Sequence, residues 1–390
     1  MGIREKIRKK AALFMISVFN RMPIKKNKVF FTSYYGSQYG CNPKYVTEHI
    51  LKNYPAGTFD LVWAFNRPEE KGPKEVVRKV KVMSLRYFYE LCTSKIVLTN
   101  FRTTDLFVKR KDQYYIQTWH SSLRLKQIEK DAEESLPEHY VEMAKKDSEK
   151  IDLLLSGCRY STSIFDRSFW FEGFLFEHGT PRNDLLIKGD HKVKDRIYRN
   201  FHLPKDEKII LYAPTFRKDN RLDVYDVDYE NVLERLKMRF GGEWTFLVKL
   251  HPHLSGKSDQ LVYGERVKDA TDFDDIQELL SVSDALITDY SSLMFDFAIT
   301  GRPCFLYTPD LHDYVKNDRR FYFEINELPF IKTETAAQLV EAVEKFDYQD
   351  YERKVSAFHK EVGTFERGEA SEKLTEHMQA VIENREVLPS

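Results

Sequence analysis

The sequence predicts an α/β protein: two doubly wound domains that face each other across a central cleft, with an amphipathic helix before them. Strand-like and helix-like segments alternate from Lys28 to about residue 190, and a second alternating series begins near residue 207. Such alternation is typical of parallel sheets covered by helices. The chain has 390 residues, which is too long for one ordinary core and suits two domains.

The first series predicts a Rossmann-like domain over residues 28–190. Its first helix opens on Asn42, and Pro43 stands at the first helical position, where a missing N–H costs no hydrogen bond. The strands expected here are KVFFTSYYG, FDLVWAF, KIVLTN, QYYIQTWH and LLLSG. The helices between them include NPKYVTEHILKNY, SLRYFYELCTS, SLPEHYVEMAKKDSEKID and YSTSIFDRSF.

The second series predicts another Rossmann-like domain over residues 207–370. A mixed-charge segment, residues 191–206, is expected to link the two domains, and residues 371–390 are expected to form a C-terminal helix and tail. The predicted strands are IILYAPTFR, WTFLVKLHPH, DALITDYSS and CFLY, and the helices are YENVLERLKMRF, FDDIQELLSVS and LMFDFAITG.

Charge, cysteine usage and missing motifs exclude several classes of protein. The 61 basic and 61 acidic residues cancel, so the composition indicates no nucleic-acid partner. The chain lacks Gly-x-Gly-x-x-Gly, Walker A and Gly-x-Ser-x-Gly motifs, which argues against dehydrogenases, NTPases and serine hydrolases. No Cys-x-x-Cys pair occurs, which argues against a zinc site or a disulfide framework and favours a reducing compartment. We expect no metal and no cofactor. The four separated cysteines are Cys41, Cys92, Cys158 and Cys304.

The N-terminal segment, residues 1–27, predicts a basic amphipathic helix. The apolar residues on one face are Ile3, Ile7, Ala11, Phe14 and Val18. Nine lysine or arginine residues and one glutamate occur up to Lys28. We expect the helix to lie on an anionic membrane surface, where each well-placed basic residue contributes about 1 kcal/mol. Docking on the protein body and a secretory signal are the alternatives, and no stretch reaches the ~18 apolar residues of a membrane span.

Polar side chains stand at the ends of four predicted strands, in QTWHSS, YAPTFR, KLHPH and TDYSS. Ligands of doubly wound sheets bind at the carboxyl ends of the strands, where the strand order reverses. In TDYSS, Ser291 and Ser292 fall where the next helix should start. The free N–H groups of a helix start suit a phosphate, and two hydroxyls add donors. An ordinary N-cap is the alternative.

The loop after YAPTFR predicts a second phosphate contact. Pro214 ends the strand, and Thr215 and Arg217 follow it. Arginine suits a phosphate because its charge is permanent and its guanidinium forms two parallel hydrogen bonds. The alternative is an ordinary surface arginine.

Two histidines are candidates for catalysis. His120 ends the QYYIQTWH segment, and a histidine titrates near neutrality, as a general base for a hydroxyl must. His251 in KLHPH is a candidate catalytic or phosphate-binding residue, with His253 as its neighbour in the loop. A packed structural histidine is the alternative for His120, and a metal site at KLHPH lacks further ligands at a fixed spacing.

Taken together, these segments resemble the CDP-glycerol glycerophosphotransferase family, the teichoic-acid transferases of Gram-positive bacteria. The matching segments cover nearly the whole chain after the N-terminal helix, in the same order and spacing. They include NPKYVTEHI, TNFRTTD, YYIQTWH, GTPRND, YAPTFR, KLHPH, TDYSSLMFDF, RRFYFE and RGEAS.

The resemblance implies a GT-B-like fold and a transfer that forms a phosphodiester and releases CMP. It implies that His120 and His251 are the catalytic pair and that the second domain binds a CDP-alcohol. The acceptor would be a membrane-anchored, polyprenyl-linked saccharide, reached from the cytoplasmic face of the membrane. The implied substrate-binding residues are Trp119, Arg182, Asn183, Asp184, Pro214, Thr215, Arg217, Thr288, Asp289, Ser291 and Ser292.

One departure from the family pattern concerns the residues after the first histidine. The usual Trp-His-Gly-Thr becomes Trp119-His120-Ser121-Ser122, and the missing glycine removes a place where backbone can approach a ligand closely. CDP-glycerol is the expected donor, CDP-ribitol the alternative. A transferase that uses a UDP-sugar and a non-enzymatic membrane scaffold are further alternatives.

Overall fold

The computed structural model describes residues 3–73, 77–217, 227–250, 263–317 and 320–385. They fall into two compact units. The described residues within 1–120, 128–184 and 365–390 make up the first unit, and those within 121–127 and 185–364 make up the second. Each unit has one parallel sheet covered by helices, the α/β architecture that the alternating segments predict.

The first unit is built on a seven-stranded sheet with the order β3-β2-β1-β4-β5-β6-β7. Its strands are β1 (Lys25–Thr32), β2 (Asp60–Phe65), β3 (Arg78–Lys81), β4 (Ser94–Thr99), β5 (Tyr114–Gln117), β6 (Leu153–Leu155) and β7 (Phe174–Phe176). Its helices are α1 (Ile3–Phe19), α2 (Cys41–Asn53), α3 (Leu85–Cys92), α4 (Glu138–Ser148), α5 (Arg159–Ser168) and, from the end of the chain, α14 (Ala370–Glu383).

The second unit is built on a six-stranded sheet with the order β10-β9-β8-β11-β12-β13. Its strands are β8 (Lys208–Tyr212), β9 (Trp244–Val248), β10 (Val267–Asp269), β11 (Ala285–Thr288), β12 (Cys304–Tyr307) and β13 (Ile331–Thr333). Helix α6 (Asp184–Lys188) begins at the boundary, and the other helices are α7 (His191–Asn200), α8 (Tyr229–Phe240), α9 (Ile276–Val282), α10 (Leu293–Ala298), α11 (Leu311–Asn317), α12 (Ala336–Glu344) and α13 (Tyr348–Val362).

The chain changes units at places other than the expected domain boundaries. Residues 191–206, the expected linker, contain α7, which packs against α9 inside the second unit. The last helix, α14, packs on α2 of the first unit through Leu374, Met378 and Val381. The short segment 121–127 belongs to the second unit, where Lys126 forms an antiparallel bridge with Phe321.

Helix α1 combines a docked face with exposed apolar residues. Ala12 and Ile16 are buried and pack with Phe88 and Cys92. Two residues of the predicted apolar face, Ile7 and Phe14, are 61% and 71% exposed. Lys28, the last of the nine basic residues counted in the N-terminal segment, adds no charge to the exposed surface of this segment. Its side chain is fully buried against Glu90 and Thr93. Among the described residues, no helix has the length and hydropathy needed to cross a membrane.

A buried histidine joins α14 to the first sheet. His377 is 7% exposed, its Nε2 lies 2.9 Å from the Tyr114 hydroxyl, and its ring stacks on Phe174. Burial, helped by the nearby charge of His178, lowers the pKa of His377 to about 4. The folded protein therefore holds this imidazole neutral down to moderately acidic pH.

Acidification should therefore weaken the first unit through His377. An unfolded histidine binds a proton near pH 6.5, whereas His377 in the folded protein stays neutral until about pH 4. The free energy of unfolding is therefore unaffected by this residue above pH 6.5 and falls by up to about 3 kcal/mol as the pH drops towards 4. We expect His377→Gln to show a smaller stability loss between pH 7.5 and pH 4.5, measured by hydrogen exchange of the β5 amides. An unchanged loss in the variant would contradict this assignment.

Candidate active site

The strand order of the second sheet reverses between β8 and β11, which are neighbours although β9 and β10 follow β8 in the chain. The carboxyl ends of these two strands are therefore the expected ligand-binding edge. Pro214 and Thr215 follow β8 there, and Asp289 to Ser292 follow β11. Thr288, the last residue of β11, donates its hydroxyl proton to the Ala213 carbonyl at 2.7 Å. The sequence motifs YAPTFR and TDYSS thus share one edge of the sheet.

Asp289 holds the two loops together. Its Oδ1 accepts hydrogen bonds from the backbone N–H groups of Thr215 at 2.8 Å and Tyr290 at 2.6 Å. Its Oδ2 accepts from Nη1 of Arg217 at 2.9 Å. The carboxylate is 2% exposed, so the negative charge lies inside the protein and needs these donors.

Arg217 is the cation between two buried carboxylates. Its Nε and Nη2 donate to the two oxygens of Asp310 at 2.7 and 2.9 Å, and its Nη1 donates to Asp289 and to the Thr215 carbonyl. Burial disfavours the charge, but Asp289 and Asp310 outweigh that effect, and the pKa of Arg217 is raised. The guanidinium is 5% exposed. A direct phosphate contact stays a prediction; the structure shows a loop-positioning residue.

Aromatic rings enclose this ion cluster. Tyr290 donates its hydroxyl proton to Asp310 at 3.0 Å and stacks on Tyr314 with ring centroids 3.9 Å apart. The Arg217 guanidinium lies 4.9 Å from the centroids of both rings. Lys126, from the 121–127 segment, donates to the Tyr314 hydroxyl. Sequence reasoning missed these residues, although Asp310 could have been found because it follows the carboxyl end of β12.

Ser291 and Ser292 stand at the start of α10 and are partly exposed. Ser291 Oγ accepts from the Leu293 N–H at 3.3 Å, whereas Ser292 occupies the N-cap without a side-chain capping bond. Helix α10 has only six residues. Any attraction for an anion therefore comes from the local N–H groups and hydroxyls rather than from a long helix dipole.

The segment KLHPH begins at the end of β9, which pairs with β8. Its first residue, Lys249, is buried and donates to the carbonyls of Ala270, Thr271 and Phe273. Burial lowers the pKa of this lysine to about 8. The predicted residues His251 and His253 lie outside the described residues.

The turn that carries His120 follows β5 of the first unit. Trp119 adopts a left-handed conformation with φ 49°, and its N–H donates to Gln117 Oε1 at 3.0 Å. Asn42 at the start of α2 donates its Nδ2 protons to the carbonyls of Thr118 and Trp119, at 3.2 Å each. The left-handed residue is Trp119 and not Ser121, so serine in place of the family's glycine carries no backbone strain.

His120 is exposed, whereas Trp119 is buried behind it. The two rings stack with centroids 4.7 Å apart, and the rings of Trp119 and Phe169 form a T-shaped pair with centroids 5.1 Å apart. An imidazole that is open to solvent on one side and held by an indole on the other suits a general base. Substrate contact by Trp119 itself stays a prediction.

The GTPRND motif lies inside the first unit. Asp184 accepts hydrogen bonds from the N–H groups of Ala370 and Ser371 at 3.0 and 2.8 Å, which caps α14. Asn183 Nδ2 donates to Glu366 at 3.1 Å, and the backbone N–H of Arg182 donates to Asn42 Oδ1 at 3.0 Å. In these contacts the motif joins α14 to the His120 turn through Asn42. Its predicted role in substrate binding stays a prediction.

Most of the chain is similar in sequence to known proteins. A family model described as CDP-Glycerol:Poly(glycerophosphate) glycerophosphotransferase matches residues 14–379. The chain is 32% identical over 377 residues to a teichoic acid poly(glycerol phosphate) polymerase of Bacillus spizizenii, covering 93% of this chain and 94% of that protein. It is 32% identical over 374 residues to a teichoic acid glycerol-phosphate transferase of Staphylococcus aureus, covering 92% of this chain and 94% of that protein.

Solved structures of the wall teichoic acid polymerase TagF share the fold. One of them, a histidine-to-asparagine variant with CDPG, matches with a TM-score of 0.83 at 28% identity and covers 98% of this chain and 99% of that chain. The predicted GT-B-like fold, with its two parallel-sheet Rossmann-like domains, is confirmed. The chain therefore belongs to the CDP-glycerol:poly(glycerophosphate) glycerophosphotransferase family.

Proposed function

We propose that this enzyme transfers glycerol phosphate from CDP-glycerol to a hydroxyl of a lipid-linked teichoic-acid or capsule-type acceptor and releases CMP. The observation that carries the proposal is the exposed imidazole of His120, which stacks on Trp119 at a strand end. Asn42 donates a hydrogen bond to the Trp119 carbonyl of the same turn. The family match over residues 14–379 supports the proposal.

In the proposed reaction, the acceptor oxygen attacks the phosphorus that carries glycerol. A new P–O bond forms to the acceptor, and the bond from that phosphorus to the bridging oxygen breaks. CMP leaves with the bridging oxygen, and the acceptor's proton passes to His120. CMP is a good leaving group, so it requires charge stabilisation more than protonation.

The second unit would bind the donor at the β8–β11 edge. Ser291 and Ser292 offer hydroxyls there, and His251 would stabilise the diphosphate charge. Arg217 would act indirectly, because Asp289 and Asp310 already engage its guanidinium. Its role is to fix the loop that contains Thr215, so that the donor meets a preformed edge.

The direct test is product analysis by mass spectrometry. The purified enzyme is mixed with CDP-glycerol, CDP-ribitol or UDP-N-acetylglucosamine and a lipid-linked saccharide acceptor. We expect CMP and an acceptor heavier by one or more glycerol phosphate units only with CDP-glycerol. Transfer from CDP-ribitol or from the UDP-sugar instead would overturn the assignment of the donor.

Helix α1 is proposed to hold the enzyme at the anionic cytoplasmic face of the membrane, where a lipid-linked acceptor resides. The exposed side chains of Ile7, Phe14 and Val18 lie among exposed basic residues, as in helices that bind the headgroup region. Docking through Ala12 and Ile16 leaves these apolar side chains available.

Phe14→Glu should therefore weaken binding to phosphatidylglycerol vesicles about tenfold or more, since a buried phenylalanine contributes roughly 1.5–3 kcal/mol. Co-sedimentation with vesicles measures the effect. Met238→Glu is the matched control, because Met238 is a 73% exposed apolar residue on α8. Equal vesicle binding by the Phe14 variant and the parent protein would refute a membrane-bound α1.

A further inference from the structure

The first sheet also reverses its strand order, between β1 and β4. The chain leaves β1 for β2 and β3 on one side, then returns to build β4 and β5 on the other. Thr32, Thr99 and Gln117, the last residues of β1, β4 and β5, are aligned by the strand register. The loops after these strands therefore lie side by side at the edge where doubly wound sheets bind ligands. The His120 turn is one of these loops.

The loops after β1 and β4 present an aromatic platform, formed by Tyr35 and Phe101. Their ring centroids are 4.1 Å apart and the rings are tilted by 36°. Tyr35 is 58% exposed. A large aromatic side chain that is packed on one face and open on the other is typical of ligand-binding surfaces.

The backbone that presents this platform is strained. Tyr34 and Tyr35 both adopt left-handed conformations, with φ 45° and 55°, which cost about 1–2 kcal/mol each for residues with a Cβ. Tyr35 gains little burial in return. Non-glycine residues in such conformations persist where the surrounding structure holds them, and they cluster at binding sites.

The neighbouring contacts hold the strained loop in place. Gly36 must be glycine, because a Cβ there would lie 2.6 Å from Val82 Cγ2. Asn100 accepts the Tyr34 N–H at its Oδ1, at 2.9 Å. The Nδ2 of the same side chain is buried and has no hydrogen-bond partner among the described residues. A buried donor of this kind makes the junction of the two loops a polar position where a hydrogen-bond acceptor would be stabilised.

The charges around the platform favour a neutral ligand. The loop of residues 33–40, SYYGSQYG, contains no charged residue. The arginine next to Phe101, Arg102, is 1% exposed and paired with Asp147 and Glu129. Tyrosine, serine and glycine make up surfaces that combine aromatic contact with adaptable hydrogen bonding. A sugar ring fits this chemistry, whereas residues 33–40 and 101–102 present no exposed cation to a phosphate.

The platform and the catalytic turn are joined by packed side chains of the first unit. Arg102, which follows Phe101, lies with its guanidinium 5.9 Å from the Trp119 ring centroid. Trp119 in turn stacks on His120 at 4.7 Å. A ligand on the platform would thus lie at the loops next to the proposed base.

We propose that Tyr35 and Phe101 form an acceptor subsite that binds a sugar ring of the lipid-linked acceptor. The ring stacks on the exposed face of Tyr35, and this contact presents the acceptor to His120. The inference rests on the proposed function and adds to it the part of the acceptor that the first unit recognises.

The test compares Tyr35→Ala and Tyr35→Phe with two acceptors at saturating CDP-glycerol. One acceptor is a short-alkyl diphosphate disaccharide that carries one glycerol phosphate, and the other is the same alkyl chain with glycerol phosphate and no sugar. We expect Tyr35→Ala to raise KM for the saccharide acceptor about tenfold, since ring contacts of this kind typically correspond to such a factor. Tyr35→Phe keeps the ring and should stay within about twofold of the parent.

Controls separate the subsite from folding and from the donor. Tyr348→Ala removes a tyrosine of similar exposure, 51%, from the second unit and should leave both KM values unchanged. Thermal unfolding of Tyr35→Ala should match the parent, because the side chain is exposed. Calorimetry with CDP-glycerol should give an unchanged Kd.

Three outcomes would overturn the subsite. An unchanged KM for the saccharide acceptor removes the platform from acceptor binding. An equal rise in KM for both acceptors shows recognition of glycerol phosphate instead of sugar. A weaker Kd for CDP-glycerol assigns the platform to the cytosine base. The absence of any transfer from CDP-glycerol by the parent enzyme would instead refute the proposed function.

Discussion

Replacing His120 by alanine is expected to lower turnover by about 10²–10⁴-fold, the usual contribution of a positioned general base. His120 is exposed and its ring contacts Trp119 on one side, so the substitution removes the base without opening a cavity. We therefore expect the variant to keep its fold and its Kd for CDP-glycerol. Initial rates of CMP release measure the turnover, and calorimetry measures the Kd for CDP-glycerol.

The matched control is His139→Ala on α4, because His139 is another exposed histidine of the first unit. It should retain parent turnover. A His120 variant with near-normal turnover, or one that unfolds under assay conditions, would remove His120 from the role of base. A change confined to the Kd for CDP-glycerol would make it a donor contact instead.

Replacing Arg217 by methionine is expected to destabilise the second unit by about 3–5 kcal/mol, the usual effect of removing one partner from a buried ion pair. The carboxylates of Asp289 and Asp310 would stay buried without their common cation. Asp289 also holds the Thr215 and Tyr290 N–H groups, so the donor-binding edge should loosen. Hydrogen exchange of the β8 and β11 amides measures the stability, and calorimetry measures the weaker binding of CDP-glycerol.

Two further variants make this prediction specific. Arg266→Met breaks a surface pair with Glu230, whose side chains are 35% and 68% exposed, and should cost at most about 1 kcal/mol. Arg217→Met combined with Asp289→Asn and Asp310→Asn removes the unpaired charges and should recover part of the stability. Equal losses of stability in Arg217→Met and Arg266→Met would contradict the prediction. They would show that the ion pairs of Arg217 with Asp289 and Asp310 do not hold the loops after β8 and β11.

The long buried elements could be predicted from the sequence. Strands such as Ala285–Thr288 and Trp244–Val248 are apolar runs bounded by polar residues. Helix α2 was predicted at the right place but with the wrong start: it begins at Cys41 after Gly40, and the Asn42 side chain donates to the Thr118 and Trp119 carbonyls instead of capping the helix. The short strands β3, β7, β10 and β13 were missed. They have three or four residues. Such short segments become strands because they pair with a neighbouring strand, and their own sequences show no clear strand pattern.

The candidate site shows the same division between sequence and structure. Strand-end reasoning placed Thr215, Ser291 and Ser292 at one edge of the second sheet and His120 at a strand end of the first, because the carboxyl ends of parallel strands lie at the same edge of their sheet. Their roles in binding and catalysis stay predictions. The same reasoning did not predict that Asp289 and Asp310 bind the guanidinium of Arg217. Its partner Asp310 stands 93 residues further along the chain, and no local pattern links residues so far apart.

Local patterns along the chain account for the alternation of strands and helices, and hence for the doubly wound class and for the loops that carry polar side chains. Three features became visible only in the folded protein: Arg217 is buried and joins two loops, α14 returns to the first unit, and Tyr35 packs on Phe101 with its side chain exposed. The two sets of features differ in the distance along the chain over which they arise. Hydrophobic periodicity acts over neighbouring residues, whereas burial and charge pairing depend on contacts between segments that meet only after folding.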